Sequence, residues 1–120
     1  NHFKLVIMPF FRFHFVESTR LAAVSRSLTD SIGEAIGCPR DHIVLEVIHS
    51  DYIGDGEVKD GNDWPFVEVE YFERPREIQE AVAGIVSEAL RRAGYPNTDV
   101  YFRYLKPENY YENAKSFQSQ

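Results

Sequence analysis

Twice along this chain an alternating apolar run leads into a helical apolar stripe and then into another alternating run. Only a sheet with helices laid against one side buries all of these faces together. Residues 9–15 carry Phe11, Phe13 and Phe15 on one side and Phe10, Arg12 and His14 on the other. A helix follows, with Leu21, Val24, Leu28, Ile32 and Ile36 in its stripe, Ser18 placed as its N-cap, and Gly37 then Pro39 at its end. A second strand over 42–50 sets Ile43, Leu45 and Val47 against Val44, Glu46 and Ile48. The third, over 66–72, sets Val67, Val69 and Tyr71 against Glu68 and Glu70. Pro75 suits the first turn of a second helix, whose stripe is Ile78, Val82, Ile85 and Ala89 and which stops at Gly94 and Pro96. A fourth strand over 100–105 sets Val100, Phe102 and Tyr104 against Tyr101, Arg103 and Leu105.

The expected fold is therefore α+β, in the order β-α-β-β-α-β, with both helices on one face of a single four-stranded mixed sheet. A chain of 120 residues with 43% hydrophobic content builds one domain with a real core. The other sheet face presents Arg12, His14, Glu46, Glu68, Glu70 and Arg103. Such a face is either a solvated side or a place where subunits meet and opposite charges pair. Between the halves, 51–63 is rich in Gly and Asp and has no strand or helix period, so it reads as a loop with a binding role or disorder. The tail 106–120 is polar apart from Tyr110, Tyr111 and Phe117.

Several functions are disfavoured. A net charge of −6 without clustered Lys and Arg argues against nucleic acid. No apolar run approaches the roughly 20 residues of a membrane span. Cys38 is the single cysteine, which excludes an internal disulfide and suits a reducing cytoplasm. His42 and His49 stand seven apart on one strand, so they face opposite ways and cannot share a metal. Gly54 and Gly56 lack the strand-to-helix setting of a phosphate loop. Neither a metal nor a cofactor is expected.

The chemistry lies at Met8-Pro9, at the head of the first strand. If Met8 becomes the start and is removed, Pro9 gains a free secondary amine, able to take and return a proton. In an apolar pocket the charged form of that amine is disfavoured and its pKa falls toward neutrality. While residues precede it, the same nitrogen is an amide with no basic lone pair. Residues 1–8 accordingly read as an extension ahead of a domain over 9–120. Phe10, Phe66, Phe72, Tyr101 and Tyr110 supply aromatics for the pocket.

The proline position, together with Gly37-Cys38-Pro39-Arg40-Asp41-His42-Ile43-Val44, Asp99-Val100-Tyr101-Phe102-Arg103-Tyr104 and Asn113-Ala114-Lys115-Ser116-Phe117, resembles the tautomerase superfamily, which includes the macrophage migration inhibitory factor (MIF)-like proteins. Pro65-Phe66-Val67-Glu68-Val69-Glu70-Tyr71-Phe72 and Tyr110-Tyr111 are similar to a small bacterial branch of it. The resemblance implies a homotrimer with sites at subunit boundaries, in which Arg12, Arg103 and the glutamates pair across subunits. It also implies a cofactor-free keto-enol isomerisation of a small carbonyl acid, with Pro9 as base. Tyr101 then falls at an active-site tyrosine, and Arg103 replaces an asparagine, where it binds a carboxylate or pairs with Glu68 or Glu70. Cys38 replaces a substrate-binding lysine, a task a neutral thiol does not perform; Arg40, Arg74 and Arg76 are candidate replacements. Tyr110 joins Tyr101, Arg103 and Cys38 as a substrate-binding candidate. The rival expectation is a trimeric binding or assembly module that keeps the scaffold without the chemistry.

Overall fold

The computed structural model describes residues 9–61 and 64–119. The expected extension at 1–8, with Met8, lies outside the described residues. The core sheet holds β1 (Phe10–His14), β2 (Val44–Ile48), β5 (Phe66–Phe72) and β6 (Asp99–Leu105), in the spatial order β2-β1-β5-β6. β1 runs parallel to β2, β5 runs parallel to β6, and β1 meets β5 antiparallel, so the sheet is mixed as expected. Each parallel pair needs a crossover, and the helices α1 (Ser18–Ile36) and α2 (Arg76–Arg92) provide them.

Both helices cover the face that carries Phe11, Phe13, Val67, Val69 and Tyr71, all fully buried. The α1 stripe buries Leu21, Leu28, Ile32 and Ile36, and Val24 is partly covered. In α2 the buried stripe is Val82, Val86, Ala89 and Leu90, while Ile78 and Ile85 pack at its margin. The expected stripe of Ile78, Val82, Ile85 and Ala89 is therefore met at Val82 and Ala89, and the helix is rotated so that Val86 and Leu90 are buried in place of Ile78 and Ile85. Burying four apolar side chains from one helix contributes roughly 1.5–3 kcal/mol for each large one.

Four local features differ from expectation. Ser18 is the first helical residue; the cap position belongs to Glu17, which makes no side-chain capping bond. Gly37 ends the helix in the left-handed conformation as anticipated, with φ 79°. β1 stops at His14 because Phe15 turns to φ 64°, where a bulky residue is strained; its ring is held between Phe66 and Tyr52 at centroid distances of 5.9 and 6.0 Å. The segment expected to be a loop contains a hairpin, β3 (Tyr52–Gly54) against β4 (Glu57–Lys59). Its turn is Asp55-Gly56, with φ 49° and 79°; positive φ at both central residues matches the right-handed twist of the strands. The tail likewise folds back as β7 (Tyr111–Glu112) and β8 (Lys115–Ser116) around Asn113 and Ala114.

Candidate active site at the head of the first strand

Pro9 precedes β1 by one residue and is fully buried. Its carbonyl accepts the Val44 N–H at 3.1 Å, which ties it to the start of β2. A donor on its own nitrogen is not required there, so proline fits the strand head. One side of this end is aromatic. Tyr110 lies 6.4 Å from Phe10, 5.6 Å from Phe72 and 4.6 Å from Phe117, and Phe72 stacks on Phe117 at 5.8 Å. The Phe117 N–H donates to the Tyr110 carbonyl at 2.9 Å, which folds the tail over the strand ends. Burial pushes the Tyr110 phenol up, and the charge of Glu112 adds to the effect.

The helix side of the same end is polar and dry. Arg74 is only 8% exposed; its guanidinium donates to the Phe72 carbonyl at 2.6 Å and lies 4.6 Å over the Tyr71 ring. Burial pulls the Arg74 pKa below the ordinary arginine value, opposed by Tyr71 and Cys38. A guanidinium starts so high that it stays charged. Burial pushes the Cys38 thiol up, and the Arg74 charge pulls against that. Cys38 is therefore a neutral thiol with a cation close enough to act on it.

Tyr101 and Arg103 sit elsewhere. The register places Tyr101 beside Glu68 and Arg103 beside Glu70, on the uncovered face of β6. β6 is two strands from β1, and Arg12 pairs with the same Glu68. Tyr101 is thus about 10 Å across the sheet and about 10 Å along it from Pro9. Its hydroxyl is hydrogen-bonded to Glu68, and Arg103 lies 5.7 Å over its ring and 3.8 Å from the Glu68 carboxylate. A single chain brings Tyr110 and Cys38 to the Pro9 end, and leaves Tyr101 and Arg103 away from it.

The charged face pairs within the chain. Arg12 donates to Glu70 at 2.9 Å and lies 3.5 Å from Glu46, while His14 Nε2 meets Glu68 at 2.6 Å and stacks on Phe66 at 4.2 Å. The hydrogen bond from His14 holds the Glu68 carboxyl below the usual range, helped by Tyr101 and opposed by burial.

A cleft of about 1070 Å³ opens at the opposite end of β1, lined by Ser18, Arg20, His49, Asp51, Asp60 and Tyr95 among others. Ser18 Oγ and His49 Nε2 are 3.4 Å apart, beyond the usual length for such a bond. Volume alone does not make a site there, because Ser18, His49, Asp51 and Asp60 remain exposed to water. No cluster among the described residues has the makings of a metal site, and no helix among them is long and apolar enough to cross a membrane. Arg74 was legible in the sequence as a candidate anion binder. Tyr71 was not, because its inward phase reads as core.

Two parallel strand–helix–strand units joined antiparallel in one sheet form the tautomerase/MIF fold. A fused 4-OT asymmetric trimer shares it at TM-score 0.74 with 13% identity, over 92% of this chain and 97% of that one. The chain belongs to the family described as "Domain of unknown function (DUF1904)", which matches residues 8–116. A member from Sebaldella termitidis is 26% identical at TM-score 0.81, over 91% of this chain and 99% of that one. A protein of unknown function from Vibrio cholerae is 24% identical at TM-score 0.81, over 96% and 92%. Curated proteins give no match to the sequence.

Proposed function

We propose that this protein is a cofactor-free tautomerase acting on a small carbonyl acid, with Pro9 as general base once the preceding residues are removed. The observation that supports this most is the setting of Pro9: fully buried, next to an aromatic wall, at the end of the sheet where a buried arginine lies. A liberated amine there would be disfavoured as an ammonium, which suits a base near neutral pH. Arg74 is the cation for the substrate carboxylate, in the place of the lysine for which Cys38 stands. Tyr110 and the Cys38 thiol would line the pocket. The chain would act as a homotrimer, with Tyr101 and Arg103 meeting a neighbour's site rather than their own.

Mass spectrometry of the natively expressed protein should find Pro9 at its N-terminus. Pro9→Ala in that processed protein should slow the enol-keto turnover of phenylpyruvate by about 10²–10⁴-fold. Persistence of residues before Pro9 in the cell would sink the reading. The second reading, a scaffold without catalysis, is favoured by the charged face, whose pairs are met within one chain and tie Tyr101 to Glu68. It expects equal rates from the wild type and Pro9→Ala.

A further inference from the structure

The antiparallel register that pairs Phe10 with Glu70 and Phe11 with Val69 sets Pro9 across from Tyr71 when carried one residue further. Alternation puts both on the helix side, and both are fully buried. The Tyr71 ring is well accounted for: Phe102 lies at 5.5 Å, Tyr104 stacks at 6.3 Å, and the Arg74 guanidinium covers it. Its hydroxyl is not. Among the described residues it has no hydrogen-bond partner. A buried phenol without a partner is destabilising, and phenylalanine would fill the same space without that penalty.

The molecule's other buried tyrosine shows the contrast. The Tyr95 hydroxyl accepts the Glu17 N–H at 2.8 Å and so joins α1 to the end of α2. His42 Nδ1 and Thr98 Oγ1 also lack partners, but those residues are partly exposed. Tyr71 is the one fully buried residue among the three. Burial raises its pKa to about 12, partly offset by Arg74, so it is an O–H donor at neutral pH. The tyrosine expected at the site, Tyr101, already commits its hydroxyl to Glu68.

We infer that Tyr71 is a second catalytic residue, whose O–H holds the oxygen of a 2-oxo carboxylate while the acid group rests on Arg74. This deepens the tautomerase reading and rests on it. The free Pro9 amine takes a proton from the carbon next to the carbonyl. The C–H electron pair becomes the C=C bond, and the carbonyl π pair moves onto oxygen. Tyr71 donates a hydrogen bond to that oxyanion and keeps its proton. The prolinium returns its proton to the oxygen, giving the enol, or to carbon in the reverse direction. Atoms and electrons balance without an oxidant or metal.

The test compares the natively processed wild type with Tyr71→Phe and Pro9→Ala, using phenylpyruvate. Tyr71→Phe should lower kcat by about 10²–10³-fold with KM nearly unchanged, and with no fall in Tm. Unchanged kcat in Tyr71→Phe beside an inactive Pro9→Ala would overturn the role of Tyr71 and leave the tautomerase reading standing. A wild type without turnover would overturn both the tautomerase reading and the catalytic role of Tyr71 that rests on it. In protein labelled with [13Cζ]tyrosine, the Tyr71 resonance, identified by its loss in Tyr71→Phe, should shift as phenylpyruvate is added to the wild type and to Pro9→Ala. If no tyrosine resonance shifts at saturating phenylpyruvate, the assignment is overturned, whether or not Tyr71→Phe folds.

Discussion

The two ends of β1 both gather polar side chains, and they treat them in opposite ways. At the Phe15 end, Ser18, His49, Asp51 and Asp60 line an open cleft, and water can satisfy each of them. At the Pro9 end, Arg74 and Tyr71 are buried and Cys38 is partly buried on the helix side of the sheet, while Phe72, Tyr110 and Phe117 pack together on the other side. Electrostatic and hydrogen-bond interactions strengthen as the local dielectric falls, so the drier end holds the groups whose chemistry is altered. The pKa directions agree: burial raises Cys38, Tyr71 and Tyr110, and lowers Arg74. Cleft volume therefore points to one end of the molecule, and desolvation to the other.

The contrast breaks first at Arg74. Arg74→Gln removes a charge-assisted contact worth about 1.5–3 kcal/mol, so KM for a carboxylate substrate should rise about ten- to a hundredfold. Arg74→Lys should not restore it, since an ammonium lacks the planar fork. Steady-state kinetics on phenylpyruvate decide the matter, and an unchanged KM would remove Arg74 from the site. Next is Tyr71. Because its hydroxyl is unpartnered, Tyr71→Phe should stabilise the fold by about 1 kcal/mol in urea unfolding; a loss of that size would mean the hydroxyl is satisfied in solution.

The acid limb of stability reports on the charged face. The Glu68 pKa is lower in the folded chain than its ordinary value of 4.5. Its contribution is present in full above that value and disappears as pH falls through the lower, folded one. Glu68→Gln should therefore flatten the loss of stability below pH 4.5, as read by thermal unfolding across a pH series. The smallest effect belongs to the open cleft. His49→Ala should change stability by less than about 0.5 kcal/mol and leave turnover alone; a tenfold loss of rate would relocate the site to that end.

Much of the architecture was legible residue by residue. The alternation of Phe66–Phe72 matched its strand at both ends, and the left-handed stop at Gly37 fell where the sequence placed it. The hairpin at Tyr52–Lys59 was missed because its strands are three residues each, too short for a period, although Asp55-Gly56 is a strong turn signal. The α2 stripe was misphased because Ile78, Ile85, Val82 and Val86 are all apolar, and only packing against α1 and the sheet chooses among them. Of the candidate site, Pro9 was visible through its position, and Cys38 and Tyr110 fell near it. Tyr101 and Arg103 were assigned to the site from resemblance, and within one chain they face Glu68 instead.

The sequence by itself determined the order of elements, the mixed sheet and the strand headed by a proline, because hydrophobic period and turn chemistry are local and additive. Tertiary structure alone decided which polar groups lose their water. Tyr71 reads as core and Arg74 as surface when taken along the chain. The antiparallel meeting of β1 with β5 sets Tyr71 across from Pro9, and the buried Arg74 guanidinium lies 4.6 Å over the Tyr71 ring. Desolvation depends on what the rest of the fold places around a group, and that is a property of the packed molecule.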